Sequence, residues 1–187
     1  MDRFDKRKKD VLSKLDKSHK SEWDEKIAGL CNKINSLKDY YTTSSCSGRI
    51  VLMIEQEKKD KNLFVSVYHD NISFGKLRED LNLALNLGKK IKLKLEPCIL
   101  HVACRTLENA EEIYSKGKVA GWKKSGIIGM KNGFSVELGG TDRLEFPAIQ
   151  KGKILVDDEF LKIVVEESNR KLEKSWIKIK KLEKMIK

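Results

Sequence analysis

Short runs in which apolar and polar side chains alternate come in pairs along this chain, and helical spacing follows each pair. Ile50, Leu52 and Ile54 alternate, and so do Leu63, Val65 and Val67. A period of two belongs to a strand with one buried face. The Lys/Asp-rich segment between these runs reads as a hairpin loop. Residues 76–88 then carry Leu77, Leu81, Ala84, Leu85 and Leu87 on one side, an amphipathic helix that Gly88 stops. Ile91, Leu93 and Leu95 alternate up to Pro97. Cys98 to Cys104 is largely apolar on both faces, which predicts a central strand covered on both sides. Thr106 is placed to cap a helix running to about Lys118.

Asn132-Gly133 lies between Ser125–Lys131 and Phe134–Leu138 and is a strong hairpin signal, because a type I′ turn needs positive φ at both central residues. Short strands are expected near Leu144 and Ile154. A long helix then starts at Asp157 or Asp158, with Phe160, Val164, Leu172, Trp176, Ile179 and Ile186 on its apolar stripe. Two helices precede the strands. One covers residues 2–17, and the other runs from about Glu22 to Leu37, capped by Ser21, with Trp23, Ile27, Leu30, Cys31 and Ile34 inward. Asp39–Gly48 reads as a polar loop. The order implies an α+β fold with a mixed, largely antiparallel sheet flanked by helices and a long C-terminal helix. It implies one domain, 1–187, with a basic helix over about 158–187.

Lys plus Arg number 39 and Asp plus Glu 28, a formal net charge of +11. Such a surface attracts polyanions, and nucleic acid is the common one inside cells. A Lys-rich solubilising surface is the other reading of the same charge, and composition leaves both open. No apolar run approaches the roughly 20 residues needed to span a bilayer. MDRFDKRKKD lacks the apolar core of a secretion signal, so a cytoplasmic protein is expected. Cys31, Cys46, Cys98 and Cys104 form no Cys-x-x-Cys pair and no cluster with zinc-finger spacing, so no metal is expected. Most of these thiols should be small buried hydrophobes.

Chemistry concentrates in four places. Thr42-Thr43-Ser44-Ser45-Cys46-Ser47-Gly48-Arg49 gathers hydroxyls, a glycine and an arginine, either an anion cradle or a polar surface turn. Tyr40 and Tyr41 precede it and offer rings for base stacking, or pack on the core. If the strands at 50–54 and 63–69 pair, Arg49 comes opposite Tyr68 and His69. The hydroxyl run, Arg49 and His69 should then share one rim, with His69 a general base or a surface histidine. His101, inside the apolar strand, is either a hydrogen-bonded core residue or a catalytic one. Glu96, held extended by Pro97, either accepts from a substrate amine or ends a strand. The last helix carries Lys171, Lys174, Lys178 and Lys181 in a dense cationic stripe, able to track an RNA backbone or to remain a solvated face. There is no P-loop and no G-x-G-x-x-G after a strand.

The run from Asp39 to Arg49, DYYTTSSCSGR, resembles the central motif of the wybutosine-synthesis methyltransferase family. Further matches keep the same order. They are His69, Glu96-Pro97-x-x-Leu-His-Val-x-Cys-Arg105, Gly121-x-x-x-Ser-Gly-Ile127, Leu144-Glu-x-Pro147, Lys151-Gly-Lys153 and Asn169-x-Lys171. The resemblance covers about Ser18 to Lys174 and is closest to archaeal members. It implies a fold other than the Rossmann-type methyltransferases and an S-adenosylmethionine-dependent tRNA methyltransferase. The expected reaction is methylation of N(4) of the 7-aminocarboxypropyl-demethylwyosine intermediate, built on the guanosine 3′ of the anticodon of tRNA(Phe). Ser44, Ser45, Ser47, Arg49, His101 and Ser125 are then expected to hold the methyl donor. Asp39, His69 and Glu96 are expected to serve the proton transfer, and Tyr40, Tyr41 and the four lysines to meet RNA. Other enzymes of the wyosine pathway are possible partners. A non-catalytic tRNA-binding module of that pathway is the alternative.

Overall fold

The computed structural model describes residues 2–13, 24–55, 63–129 and 133–187. The element order is α1 (Arg3–Leu12), α2 (Glu25–Ser36), β1 (Tyr40–Cys46), β2 (Arg49–Ile54), β3 (Phe64–Tyr68), α3 (Phe74–Leu85), β4 (Ile91–Glu96), β5 (Ile99–Cys104), α4 (Leu107–Ala120), β6 (Gly126–Gly129), β7 (Phe134–Gly139), β8 (Leu144–Gln150), β9 (Lys153–Ile154) and α5 (Asp158–Met185). The helical expectation for residues 14–17, Ser21 as a cap, Trp23 on the second helix and Asn132 in the turn fall outside the described residues. Gly133 is described and has the positive φ, 112°, that the hairpin requires.

The class is α+β, as the order implies. The strands do not form one mixed sheet. Among the described residues they form two sheets, β1-β5-β7-β6 and β3-β2-β4-β8-β9, antiparallel throughout. Where the sequence reading treats 1–187 as one domain, the contacts resolve into two compact units. The first comprises Met1–Ser47, Cys98–Thr141 and Ser175–Lys187, and the second comprises Gly48–Pro97 and Asp142–Lys174.

In the first unit, β1, β5, β7 and β6 lie side by side. The polar segment expected to be a loop is strand β1, paired with β5 from Tyr40↔Cys104 to Cys46↔Ile99. It sits at the sheet edge, where strands tolerate polar side chains, and β5 supplies the ladder that its own composition does not announce. The register shifts between Thr42 and Ser44. Asn35 on α2 fixes this point, because its carboxamide oxygen accepts from the Thr42 amide at 2.7 Å. Strand β5 is central but is not covered equally on both faces. Leu100, Val102 and Cys104 are fully buried, whereas Ile99, His101 and Ala103 are only partly so. The buried face meets Ile27, Leu30, Cys31 and Ile34 of α2, Ala110 and Ile113 of α4, Ile179 and Leu182 of α5, and Ile186 just beyond it. The hydroxyl and amide of Thr106 and the side chain and amide of Asn109 close a capping box at the start of α4.

In the second unit, Ile50, Leu52, Leu93 and Leu95 of the sheet and Leu77, Leu81 and Ala84 of α3 are fully buried. The Tyr68 hydroxyl donates to Asp80 on α3, and Lys76 pairs with the other oxygen of that carboxylate at 2.9 Å. Asn169 on α5 satisfies both backbone groups of Ile72, accepting from its amide at 3.0 Å and donating to its carbonyl at 2.9 Å. Asp157 caps α5 by accepting from the Phe160 amide at 2.8 Å.

Candidate active site

The first unit gathers polar groups on the side of its sheet that faces away from the core. Pairing sets Ser44 opposite His101, His101 opposite Glu137, and Glu137 opposite Gly126. Cross-strand partners share a face, so a hydroxyl, an imidazole and a carboxylate line up in one row. The His101 Nε2 atom lies 3.0 Å from Glu137 Oε2, with 27% and 31% of the two side chains exposed. Sequence reasoning missed Glu137. Its only signal is the hairpin pairing that brings β7 against β5.

A second polar group lies where β1 ends. The Ser47 amide donates to Asp24 Oδ2 at 2.9 Å, and the same carboxylate caps α2 through the Lys26 amide. The Ser47 hydroxyl is buried and has no hydrogen-bond partner. The Lys26 ammonium lies 4.5 Å from the centroid of Trp176, whose indole Nε1 is likewise buried and unpartnered. A buried polar atom without a partner costs roughly 1–3 kcal/mol. Two such atoms tied to one helix end are suited to a polar small molecule. Trp176 reads in the sequence as part of an apolar stripe, and nothing in its spacing signals the free N–H.

In the second unit, Ile50 pairs with Tyr68, so Arg49 opens β2 and His69 directly follows β3. Arg49 also faces Glu96 across β4, and its Nε lies 2.7 Å from Glu96 Oε2. Lys94 takes the other oxygen at 2.8 Å. Burial pushes the Glu96 carboxyl up, and the bonds from Lys94 and Arg49 pull it down by more, so it stays ionised below its ordinary range. The Arg49 guanidinium lies over the ring of Phe64, 4.8 Å from its centroid. Arg49 is therefore positioned and charged, with one edge already held by Glu96.

Several expected residues sit elsewhere or are already engaged. Asp39 does not join the row. Its carboxylate takes Arg105 Nε at 2.6 Å, and it lies before Tyr40, at the opposite end of β1 from Ser44–Ser47. Ser45 pairs with Leu100, one step out of phase with His101, and belongs to the first unit while Arg49 and His69 belong to the second. Ser125 donates its one hydroxyl hydrogen to the Trp122 carbonyl at 2.6 Å and accepts from the Gly139 amide at 3.3 Å, so it ties a turn to β7. Tyr40 and Tyr41 are 7% and 3% exposed, which leaves neither ring free for stacking. The Tyr40 hydroxyl donates to Glu112 at 2.7 Å, and Tyr41 lies against Phe4 with ring centroids 5.1 Å apart. Of the four lysines, Lys174 and Lys181 are exposed, and Lys178 is half-buried. Lys171 pairs with Glu167 at 3.3 Å.

No helix of the described residues is long and apolar enough to cross a membrane. The family model described as Methyltransferase TYW3 matches residues 6–187. The chain is 34% identical over 182 residues to the tRNA(Phe) 7-((3-amino-3-carboxypropyl)-4-demethylwyosine(37)-N(4))-methyltransferase of Archaeoglobus fulgidus, covering 96% of this chain and 91% of that one. It is 34% identical to the tRNA wybutosine-synthesizing protein 3 homolog of Mus musculus, over 92% of this chain and 68% of the other. Among solved structures, the PH1069 protein from Pyrococcus horikoshii superposes with a TM-score of 0.89 at 33% identity, over 98% of this chain and 93% of that one.

Proposed function

This chain belongs to the TYW3 methyltransferase family, and on that premise we propose that it methylates N(4) of a demethylwyosine base in tRNA(Phe), with S-adenosylmethionine as donor, in the cytoplasm. The observation that carries this reading is near-complete coverage, in both directions, of a relative named for that reaction. The net charge of +11 suits a polyanionic substrate.

The donor brings an electrophilic methyl group on a sulfonium, together with an ammonium and a carboxylate. The residues present fit those groups. The buried, unpartnered Ser47 hydroxyl and Trp176 indole N–H offer hydrogen bonds to neutral or anionic atoms. Ser44 and His101 offer a hydroxyl and an imidazole beside the carboxylate of Glu137, which suits a cationic group. Taken by itself, the second unit offers the Arg49 guanidinium, which suits a carboxylate or phosphate oxygen. Ser45 and Ser125 support these contacts through the backbone segments they occupy.

Transfer to a ring nitrogen needs alignment more than acid–base strength, and holding reactants in place supplies about 7–11 kcal/mol. The nitrogen's proton still has to leave. Taken by itself, the second unit offers His69 as the acceptor we assign, because imidazole side chains as a class titrate near neutral pH. Glu96, held ionised by two cations, is a weak base and holds Arg49 in place instead. Lys174 and Lys181 remain as exposed cations for RNA.

The test is incubation with tRNA(Phe) carrying the demethylated intermediate and methyl-labelled S-adenosylmethionine, followed by nucleoside mass spectrometry. One labelled methyl on the wyosine base is expected. Donor binding without any methylated nucleoside would remove the catalytic reading.

A further inference from the structure

We infer that the outward face of α1 is a contact surface for the sugar–phosphate backbone of the substrate RNA, an inference that rests on the RNA reading above. Helix α1 has ten residues and buries none of them fully. A helix this short is marginal by itself in water, so its attachments decide which way it faces. Phe4 lies against Tyr41 and under the Arg105 guanidinium, 4.5 Å from the ring centroid. Asp2 and Asp5 both pair with Arg105, at the end of β5, and Lys8 donates to the Leu37 carbonyl at the end of α2. These contacts turn Phe4, Asp5, Lys8 and Val11 inward, all half-buried.

At 3.6 residues per turn, Arg3, Lys6, Arg7, Lys9 and Asp10 then share the opposite arc. All five are exposed. Asp2 at the N-cap and Asp5 on the helix are thus both drawn onto Arg105, and Lys6, Arg7 and Lys9 stand outside with Asp10. Helix α5 shows the contrast. Its Arg170 and Lys171 pair with Glu167, its Lys162 with Glu159 and its Lys180 with Glu183. Those four cations are neutralised by neighbours on the same helix, so they add little to the field of α5, which rests on others such as Lys174 and Lys181.

Position supports the same assignment. Tyr41, which Phe4 covers, pairs with Ala103, two residues along β5 from His101. Two residues of strand span about 7 Å, roughly one nucleotide. A strand of RNA that delivers a base to the Ser44–His101–Glu137 row is thus within reach of α1.

The test compares the parent protein with K6A/R7A/K9A, alanine being a strong helix former at these exposed sites. Binding of undermodified tRNA(Phe) is measured as a function of salt, with S-adenosylmethionine affinity measured by calorimetry alongside. The triple variant should bind tRNA about 10-fold or more weakly at low salt. Its slope of log K against log salt should be shallower by about 2, since each phosphate contact adds roughly 0.7–0.9. Donor affinity should stay unchanged, and K162A/K180A on α5 should keep the parent slope. If the triple variant keeps the parent slope, or the α5 variant loses as much, the α1 surface is wrong while the RNA reading stands. If the parent shows no salt-dependent tRNA binding, both fall.

Discussion

The imidazole of His101 and the carboxylate of Glu137 face each other across the β5–β7 ladder, Nε2 to Oε2 at 3.0 Å. The pair is half-exposed on the side of the sheet away from the core, and its neighbour in the row is the hydroxyl of Ser44. A histidine bonded this way has a set ring orientation, and the carboxylate sets it. Glu137→Gln keeps the shape and removes the charge. Single-turnover methyl transfer should fall on the order of 100-fold, within the range for a positioned acid–base or charge contact. Circular dichroism should show the parent fold. Parent-like turnover in this variant would take the row out of the active site.

Gly139 sits where a side chain has no room. A Cβ there would lie 2.6 Å from the Lys124 carbonyl oxygen, which is backbone and cannot rotate away. The same backbone is bonded to it, since the Lys124 amide donates to the Gly139 carbonyl at 3.0 Å. Gly139→Ala should cost about 1–3 kcal/mol, the usual range for overpacking, read as a lower denaturation midpoint at unchanged m-value. A midpoint equal to the parent's would mean that the Lys124–Ser125 turn yields freely.

Glu96 should leave a signature in acid. Its carboxyl titrates below its ordinary value of 4.5, because the bonds from Lys94 and Arg49 outweigh the cost of burial. A carboxyl whose folded pKa is depressed stabilises the fold fully above its unfolded value. That contribution is lost as the pH falls through the folded value. The parent should therefore lose stability below about pH 4.5. Glu96→Gln should be less stable than the parent at neutral pH and flatter across that acid range. Parallel acid profiles for the two proteins would contradict the assignment.

The cysteines should differ in reactivity. Cys31, Cys98 and Cys104 are buried, and Cys46 is only partly so. Burial pushes the Cys104 thiol up to about 12, far from thiolate at neutral pH. Brief alkylation of the native protein should add one label, at Cys46, found by peptide mass spectrometry. Labelling of Cys104 at a comparable rate would show that β5 opens locally.

The sequence shows the capping box at Thr106, the strands at Ile50–Ile54 and Ile91–Leu95, and the helix beginning after Asp157, because periodicity and caps are local. It misses β1, since a run of Thr and Ser looks the same in a loop and on an edge strand until a partner ladder is present. It overestimates the cover on β5, because residue type does not say which face meets α2 and α4 and which stays open around His101.

By itself, the amino-acid sequence determined the α+β class, the helix ends, the cationic character and, through a string of ordered motifs, the family. Tertiary structure alone decided that the strands form two antiparallel sheets, and that Glu137 rather than Asp39 stands in the row with His101. It also decided that Arg105 draws the acids of α1 inward. The reason lies in the range of the forces. Propensity and capping act within a few residues, whereas an ion pair between Arg105 and Asp2, or a ladder between β1 and β5, joins groups far apart in the chain that only the folded backbone brings within reach.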